Sequence, residues 1–363
     1  MPERELATQV FADEATRAPD RTILDGLFSE NYSEARAKFL NACDSSGTSV
    51  KSYRHPDAGP DGEELFTDVA CFGPRQADRV LVLCSGTHGV EGVCGSGIQT
   101  GLLRDDLRSR LKDDQRVVMI HALNPWGFAH LRRVNEDNVD LNRNFVDHSK
   151  LHPANSDYDA LADAIAPRTY WSLVGGSFFR LFFHQLTRGT AALQAALTRG
   201  QYAYPKGLFY GGQDEVWSNK TFRTILNHHV SGVARMVFID LHTGLGRYGH
   251  GEIITNSLPS SPEYARAAAV WGERVKMTKT GESVSTDLVG TIQGALSKMT
   301  PQTEVTTVTL EFGTYTAPIV FCSLQAENWL HHHGGSNPRR AAFIKAWFRR
   351  AFRFCSKFAS PAN

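Results

Sequence analysis

A histidine and a glutamate separated by two residues are the side chains of this sequence best suited to metal chemistry. His88 and Glu91 lie in the glycine-rich stretch 85–92, directly after the apolar run 80–84. This order of residue types predicts a strand, a tight turn and the start of a helix, where side chains three residues apart project to one side. Both can then reach a single cation at the carboxyl edge of an α/β sheet. Because the chain has 14 histidines, such a pair also arises by chance and needs further support.

Three further apolar runs end in polar residues that are followed by glycine within a few positions. They are 117–120, which leads to 124–127; 236–239, which leads to Asp240 and His242; and 305–310, which leads to Glu311. Open α/β sheets bring catalytic groups to the carboxyl edge of their strands in this way. The four runs together therefore predict a sheet with reactive side chains at one edge.

In these residues the chain resembles the zinc carboxypeptidase superfamily, which comprises carboxypeptidase A-like enzymes and their succinylglutamate desuccinylase and aspartoacylase relatives. The matching pattern is, in chain order, His88-x-x-Glu91, Asn-Pro-x-Gly at 124–127, Val-Asp-Leu-Asn-Arg-Asn-Phe at 139–145, a distant histidine at His242 and a late glutamate at Glu311. The segments 207–212 and 217–219 further indicate a bacterial branch rather than a digestive-type enzyme.

The resemblance implies an open catalytic site with one zinc ion per chain. His88, Glu91 and His242 would hold the metal and leave a position for water. Glu311 matches the carboxylate that takes a proton from the attacking water and passes it to the leaving nitrogen. For Asp240 two interpretations stay open, because it either orients an imidazole or is a solvated residue at a strand end.

Arginines upstream of and within the Asp-x-Asn-Arg segment complete the implied site. The superfamily stabilises the oxyanion with an arginine upstream of this segment, which makes Arg133 the predicted residue. Arg132 is the alternative for this role and a further candidate for substrate binding. Asn142 and Arg143 match the residues that grip the free carboxylate of a substrate, where a guanidinium gives bidentate recognition. Each arginine has the alternative interpretation of a structural ion pair.

These roles predict hydrolysis of an amide bond in a small substrate with a free carboxylate. Carboxypeptidase A-like enzymes carry a mobile tyrosine before the catalytic glutamate, whereas no tyrosine occurs here between Tyr264 and Tyr315. The departure favours an amidohydrolase of N-acyl amino acids or short peptides over a peptidase of the digestive type. Two alternatives stay open: an esterase or lactone hydrolase at the same zinc site, and a non-catalytic zinc- or ligand-binding relative.

Composition and charge exclude several other function classes. The 363 residues are 41% hydrophobic and 21% charged with a net charge of +1, which gives no sign of disorder or of a nucleic-acid partner. Six cysteines form no Cys-x-x-Cys pair and are predicted to be reduced thiols. The N-terminus lacks a signal-peptide core and no run reaches the length of a membrane span, so we predict a cytoplasmic protein with no membrane partner. A homo-oligomer stays open.

The predicted fold is a single α/β domain over 1–363, with a mixed central β-sheet flanked by helices. Residues 146–234 are predicted to be a helical insertion that caps the pocket and restricts substrate size. Helix-like spacing further predicts helices within 13–45, 93–111 and 338–359, the last of them packed on the body. An apolar cluster inside the insertion is predicted to be core or a lid packed on the sheet; its members are Phe178, Phe179, Leu181, Phe182 and Phe183.

Overall fold

The computed structural model describes residues 26–277, 288–334 and 337–353. The strands in these residues are β1 Ser49–Ala58, β2 Glu64–Phe72, β3 Arg79–Ser85, β4 Gln115–His121, β5 Arg235–Leu245, β6 Gly251–Thr255, β7 Val275–Met277 and β8 Glu304–Tyr315. They form one sheet in the order β1-β2-β4-β3-β5-β8-β6-β7. The central strands β4, β3, β5 and β8 are parallel, whereas β2 and β6 run antiparallel to their inner neighbours. The predicted mixed sheet is confirmed.

Both faces of the central strands are buried, which explains their continuous apolar runs. Alternate residues of β3 point to opposite faces of the sheet. Val80 and Val82 therefore join one hydrophobic cluster, while Leu81 and Leu83 join another. Because the strands are anchored from both sides, their carboxyl ends form a rigid edge on which side chains can be positioned.

Helices cover both faces of the sheet. In the described residues they are α1 Tyr32–Ser45, α2 Gly92–Arg104, α3 Pro125–Ala129, α4 Leu141–Asn144, α5 Ser156–Ile165, α6 Ser177–Arg188, α7 Thr190–Thr198, α8 Trp217–His229, α9 Pro262–Trp271, α10 Ile292–Met299, α11 Ala317–His333 and α12 Pro338–Phe352. The helix predicted at 93–111 ends at Arg104, and a short 3-10 helix follows at Leu107–Arg110. Parts of two other predicted helices, 13–25 and 354–359, lie outside the described residues.

The C-terminal helix α12 packs on the body of the protein, as its amphipathic pattern predicts. Ile344, Phe348 and Phe352 are buried on its inner side. Phe348 and Phe352 share a hydrophobic cluster with Leu324 of α11 and Tyr158 of α5. The helices α11 and α12 therefore connect the C-terminal part of the chain to the 146–234 region.

The apolar cluster of α6 differs from its prediction. Phe178, Phe179, Phe182 and Phe183 are exposed to solvent, and only Leu181 packs against a hydrophobic cluster. The physical reason is that α6 lies against α5 and α7 rather than on the sheet, so most of its surface points outwards. The prediction of core or a sheet-packed lid is therefore wrong for the four phenylalanines.

No helix among the described residues combines the length and apolar character that crossing a lipid bilayer requires.

Candidate metal centre

The three predicted metal ligands meet at the carboxyl edge of the sheet. His88 follows β3, Glu91 ends the one-turn 3-10 helix Gly89–Glu91, and His242 lies on β5 beside β3. All three are buried, and their candidate ligand atoms lie within 4.8 Å of one another. Across the described parts of the chain, no other three histidine, cysteine, aspartate or glutamate side chains meet in this way.

Glycine gives the turn after β3 its shape. Gly86 has a φ of +65°, in the left-handed region that favours glycine. A Cβ atom at Gly89 would overlap the backbone of Gly127 in α3. The turn can therefore pack directly against α3, which holds His88 and Glu91 in place.

Each histidine directs one ring nitrogen to Glu91 and the other to an aspartate. His88 Nδ1 lies 2.9 Å from Glu91 Oε1, and its Nε2 lies 3.0 Å from Asp140 Oδ1. His242 Nδ1 lies 2.8 Å from Glu91 Oε2, and its Nε2 lies 2.8 Å from Asp240 Oδ2. An aspartate behind a metal-binding imidazole fixes the ring and its tautomer, and leaves the opposite nitrogen for the metal. Of the two interpretations of Asp240, the structure therefore supports the orienting role.

The donor set fits a zinc ion. Two imidazoles and one carboxylate are a ligand set of catalytic zinc, and bonds of ~2.0–2.2 Å place tetrahedral donor atoms roughly 3.3–3.6 Å apart. The nitrogen–oxygen distances of 2.8 and 2.9 Å across Glu91 are close to that spacing. All three donor atoms lie within 4.8 Å of one another, so they face a common point that one ion could occupy.

The charges of this cluster offset the cost of burial. Burial by itself raises the pKa of Glu91, but the charges of His88 and His242 outweigh it and hold that pKa well below its usual range. Burial by itself lowers the pKa of His242, but Asp240 and Glu91 raise it well above its ordinary value. Glu91 is therefore ionised, as a candidate metal ligand must be, and metal binding at this group would release a proton from the His242 imidazole.

Arg133 is part of the same cluster. Its Nε donates to Asp140 Oδ2 at 3.2 Å, and its Nη1 donates to Glu91 Oε1 at 3.1 Å. Burial opposes its charge, but Asp140 and Glu91 raise the pKa of Arg133 above its ordinary value. The side chain keeps 17% of its surface exposed. A permanent cation thus borders the metal centre without being fully enclosed.

Arg132 points away from the metal centre into a second cluster. Its Nε donates to Glu327 Oε1 at 3.0 Å, and its Nη2 donates to Asn138 Oδ1 at 2.9 Å. Lys345 Nζ donates to the same Glu327 oxygen at 3.0 Å. The structure therefore does not bring Arg132 to the other candidate site residues, and the interpretation as a structural ion pair describes it.

Glu311 and His242 are neighbours on the adjacent strands β8 and β5. The two residues are register partners on β8 and β5, so their side chains lie on the same face. Glu311 Oε1 accepts a hydrogen bond from the backbone N–H of Leu245 at 2.9 Å. Burial, and after it the charge of Glu91, raises the pKa of Glu311 to about 7. A carboxyl group with a pKa near neutrality is well matched to accepting and returning a proton.

Asn142 and Arg143 lie between the metal centre and the 146–234 region. Asn142 Nδ2 lies 3.5 Å from His242 Nε2, and its Oδ1 accepts from the backbone N–H of Ile292 at 3.2 Å. Arg143 is buried, and its Nη1 donates to the backbone oxygen of Asn142 at 2.8 Å. The ring of Phe209 lies 5.8 Å from the Arg143 guanidinium and 6.0 Å from that of Arg133. Phe209 therefore borders both arginines.

Two residues of this site received no role from the sequence. Asp140 belongs to the 139–145 motif, so its place two residues before Asn142 was an available signal. Phe209 carries no such signal in its residue type. Its φ of +58° is a left-handed backbone conformation that a phenylalanine rarely adopts, and such strain is found preferentially at functional sites.

Comparisons with solved structures give remote similarities. A carboxypeptidase A from Helicoverpa armigera has a TM-score of 0.46 and 16% identity, over 96% of this chain and 81% of that chain. A metallo-carboxypeptidase from Burkholderia cenocepacia has a TM-score of 0.44 and 14% identity, over 89% of this chain and 68% of that chain. A succinylglutamate desuccinylase/aspartoacylase from Rhodobacter sphaeroides has a TM-score of 0.35 and 15% identity, over 80% of this chain and 67% of that chain. Both groups of the superfamily that the sequence motifs resemble are represented among these structures.

Sequence comparisons place the chain in a family. No curated protein sequence matches it. A family model does match, over residues 28–357, and this range contains every candidate site residue named above. The chain belongs to that family, which is described as a protein of unknown function, DUF2817.

Proposed function

We propose that this protein is a zinc-dependent hydrolase that cleaves an amide bond in a small substrate with a free carboxylate, such as an N-acyl amino acid or a short peptide. The convergence of His88, Glu91 and His242, with an aspartate behind each imidazole, carries the proposal. When bound, a zinc ion supplies Lewis-acid chemistry, since it polarises a carbonyl group and lowers the pKa of water.

The residues around the proposed ligands supply proton transfer, stabilisation of the oxyanion and binding of the substrate carboxylate. Glu311 accepts the proton of the attacking water and returns it to the leaving nitrogen, and its raised pKa supports this exchange. Arg133 provides a fixed positive charge where negative charge develops on the carbonyl oxygen. Asn142 and Arg143 bind the carboxylate of the substrate, because a guanidinium can make two parallel hydrogen bonds to it.

The position of Phe209 supports a small substrate. The residue belongs to the 146–234 region, and its ring borders both Arg133 and Arg143. An aromatic ring there narrows the space beside the proposed carboxylate-binding residues. We infer that the region limits the length of the acyl or peptide part that can enter, which disfavours polymers as substrates.

The metal is tested by elemental analysis of tag-free protein. We expect one zinc ion per chain in the wild type and its loss in His242→Ala, because two remaining ligands rarely retain a catalytic metal. His228→Ala, which removes a histidine of α8 that is not a candidate ligand, is the matched control and should keep its zinc. Full zinc occupancy in His242→Ala would contradict the assignment of His242 as a zinc ligand.

The reaction is tested with a panel of N-acyl amino acids and dipeptides. On the best substrate, Glu311→Gln should lower turnover by ~100-fold or more while zinc content and folding persist, because the substitution removes only the proton acceptor. Glu252→Gln is the control, since Glu252 is the register partner of Glu311 on β6. Normal turnover in Glu311→Gln combined with a loss in Glu252→Gln would transfer the role to Glu252.

A further inference from the structure

A large apolar surface lies on the 146–234 region, away from the metal centre. Seven large apolar side chains between 171 and 186 expose from 48% to 80% of their surface. We call this surface the aromatic patch; its members are Trp171, Val174, Phe178, Phe179, Phe182, Phe183 and Leu186. Contiguous apolar surface of this kind is costly in water and typically marks a place where a protein binds a partner or a membrane.

The patch follows from the helical periodicity of α6. Phe178, Phe182 and Leu186 recur every four residues, and Phe179 and Phe183 form the adjacent row, so all five share one face. The opposite face carries Ser177, which is buried, and Leu181, which packs against a hydrophobic cluster. The inner face thus attaches α6 to the body, and the outer face is left uncovered by the described part of the chain.

The charges on α6 and on the segments next to it in the chain are of one sign, whereas α5, on which α6 packs, carries the exposed Asp159 and Asp163. Residues 166–200 contain four arginines and neither aspartate nor glutamate. Arg168 is paired with Asp163 of α5 at 3.6 Å. Arg180 and Arg188 both lie on α6 and are exposed, and Arg180 Nη2 donates to the backbone oxygen of Ala160 on α5 at 3.4 Å. An apolar face next to arginines is complementary to a surface that is both apolar and negatively charged.

This charge pattern disfavours a second copy of the chain as the occupant. A symmetric contact between two such patches would bring arginines against arginines. No acidic residue lies within 166–200; the exposed Asp159 and Asp163 lie on α5, and Asp163 is paired with Arg168. An interfacial helix, in contrast, combines phenylalanine, tryptophan and leucine on one face with arginine on the other.

We propose that the aromatic patch binds the surface of a membrane that contains anionic lipids, in contrast to the absence of a membrane partner predicted from the sequence. The helix α6 lies in the plane of the interface, where its phenylalanines enter the acyl-chain boundary and Arg180 and Arg188 meet lipid phosphates. This binding is independent of the metal centre, because α6 packs on α5 and α7 and contributes no candidate site residue.

Flotation with lipid vesicles tests the proposal. We expect the wild-type protein to float with phosphatidylcholine vesicles that contain phosphatidylglycerol and to remain behind with phosphatidylcholine alone. Phe179→Ser with Phe183→Ser should lower the partition coefficient at least tenfold, to judge from the ~1.5–3 kcal/mol that burial of each ring contributes. Arg180→Gln with Arg188→Gln should lower it by about tenfold or more on anionic vesicles, at ~1 kcal/mol per charge.

The control is a double variant of exposed leucines outside the patch. Leu151 and Leu258 expose 100% and 51% of their surface, and Leu151→Ser with Leu258→Ser should float like the wild type. All variants change exposed positions, so hydrolysis of the best substrate reports that they remain folded. Absence of wild-type flotation overturns the proposal, as does equal flotation with both lipid mixtures. A wild-type dimer in light scattering that becomes a monomer in Phe179→Ser with Phe183→Ser would assign the patch to self-association instead.

Discussion

Arg132 and Arg133 are neighbours in the sequence but belong to two different buried charge clusters. The metal-side cluster joins Arg133 to Glu91 and Asp140. The helix-side cluster joins Arg132 to Glu327 of α11 and Lys345 of α12. Arg133 of the first cluster borders the proposed substrate-binding residues. In the second cluster Arg132 and Glu327 are buried, and Lys345 keeps 32% of its side-chain surface exposed.

The backbone between the two clusters ties them together. Gly89 N–H donates to the oxygen of Arg133 at 3.1 Å, and Val90 N–H donates to that of Arg132 at 2.8 Å. Lys345 Nζ donates to the backbone oxygens of His130 and Leu131 at 3.1 Å. The helix-side cluster therefore holds in place the segment that presents Arg133. We therefore expect similar ion pairs to serve stability in the helix-side cluster and the proposed chemistry in the metal-side cluster.

The largest effect is expected when the helix-side cluster is broken. Glu327→Ala leaves the buried Arg132 and the partly exposed Lys345 without their shared carboxylate. The uncompensated burial of Arg132 should lower the free energy of unfolding by ~3–5 kcal/mol. Chemical denaturation measures this change. Glu304→Ala, which removes the half-exposed partner of Arg235, is the control and should cost at most ~1 kcal/mol. Equal stability of the two variants would contradict the buried cluster, and Glu327→Gln provides a milder test.

Breaking the metal-side cluster is expected to lower kcat. Arg133→Met removes the cation proposed to stabilise the oxyanion, which should lower kcat roughly 100- to 1,000-fold, or ~2.7–4 kcal/mol. Arg132→Met is the matched control, because it should lower stability while the folded fraction keeps its kcat. Steady-state kinetics measures the loss of turnover in both variants, and chemical denaturation measures their loss of stability. If the two variants lose turnover equally, the division of roles is wrong.

The third prediction concerns Arg143, which is proposed to bind the carboxylate of the substrate, whereas Arg132 is not. Converting the best substrate to its C-terminal amide should cost ~2–4 kcal/mol, or roughly a 30- to 1,000-fold fall in kcat/KM. Arg143→Ala should abolish this preference for the acid, whereas the Arg132→Met control should retain it. Equal hydrolysis of acid and amide by the wild type would return Asn142 and Arg143 to a structural role.

The smallest effect is expected at the aspartates behind the imidazoles. Asp140→Asn and Asp240→Asn each keep the shape of the side chain but remove its charge, so zinc affinity should fall ~10- to 100-fold. Competition with a chelator measures the affinity. Asp114→Asn is the control, since Asp114 pairs with Arg79 at the far end of β3. Unchanged affinity in both site variants would show that these contacts do not tune the metal.

The apolar runs of the sequence are enough to predict the sheet edge at which the candidate metal ligands meet. His88 and Glu91 follow the apolar run of β3, His242 follows the apolar run within β5, and parallel strands end at the same edge of a sheet. The glycines around His88 indicate the tight turn for a local steric reason, which residue type alone reports. The position of Glu311 was predictable for the same reason, as it follows the apolar run within β8, the strand that pairs with the strand of His242.

Tertiary structure decided which of two adjacent arginines joins the metal centre. Neighbouring side chains outside helices and strands have no periodicity that assigns them a direction. The partner of Arg132 lies 195 positions away on α11, so only the packing of the C-terminal helices shows where that side chain goes. The helical pattern of α6 likewise reports that one face is apolar but not whether the fold covers it. The fold leaves it exposed, because α6 packs on other helices and not on the sheet.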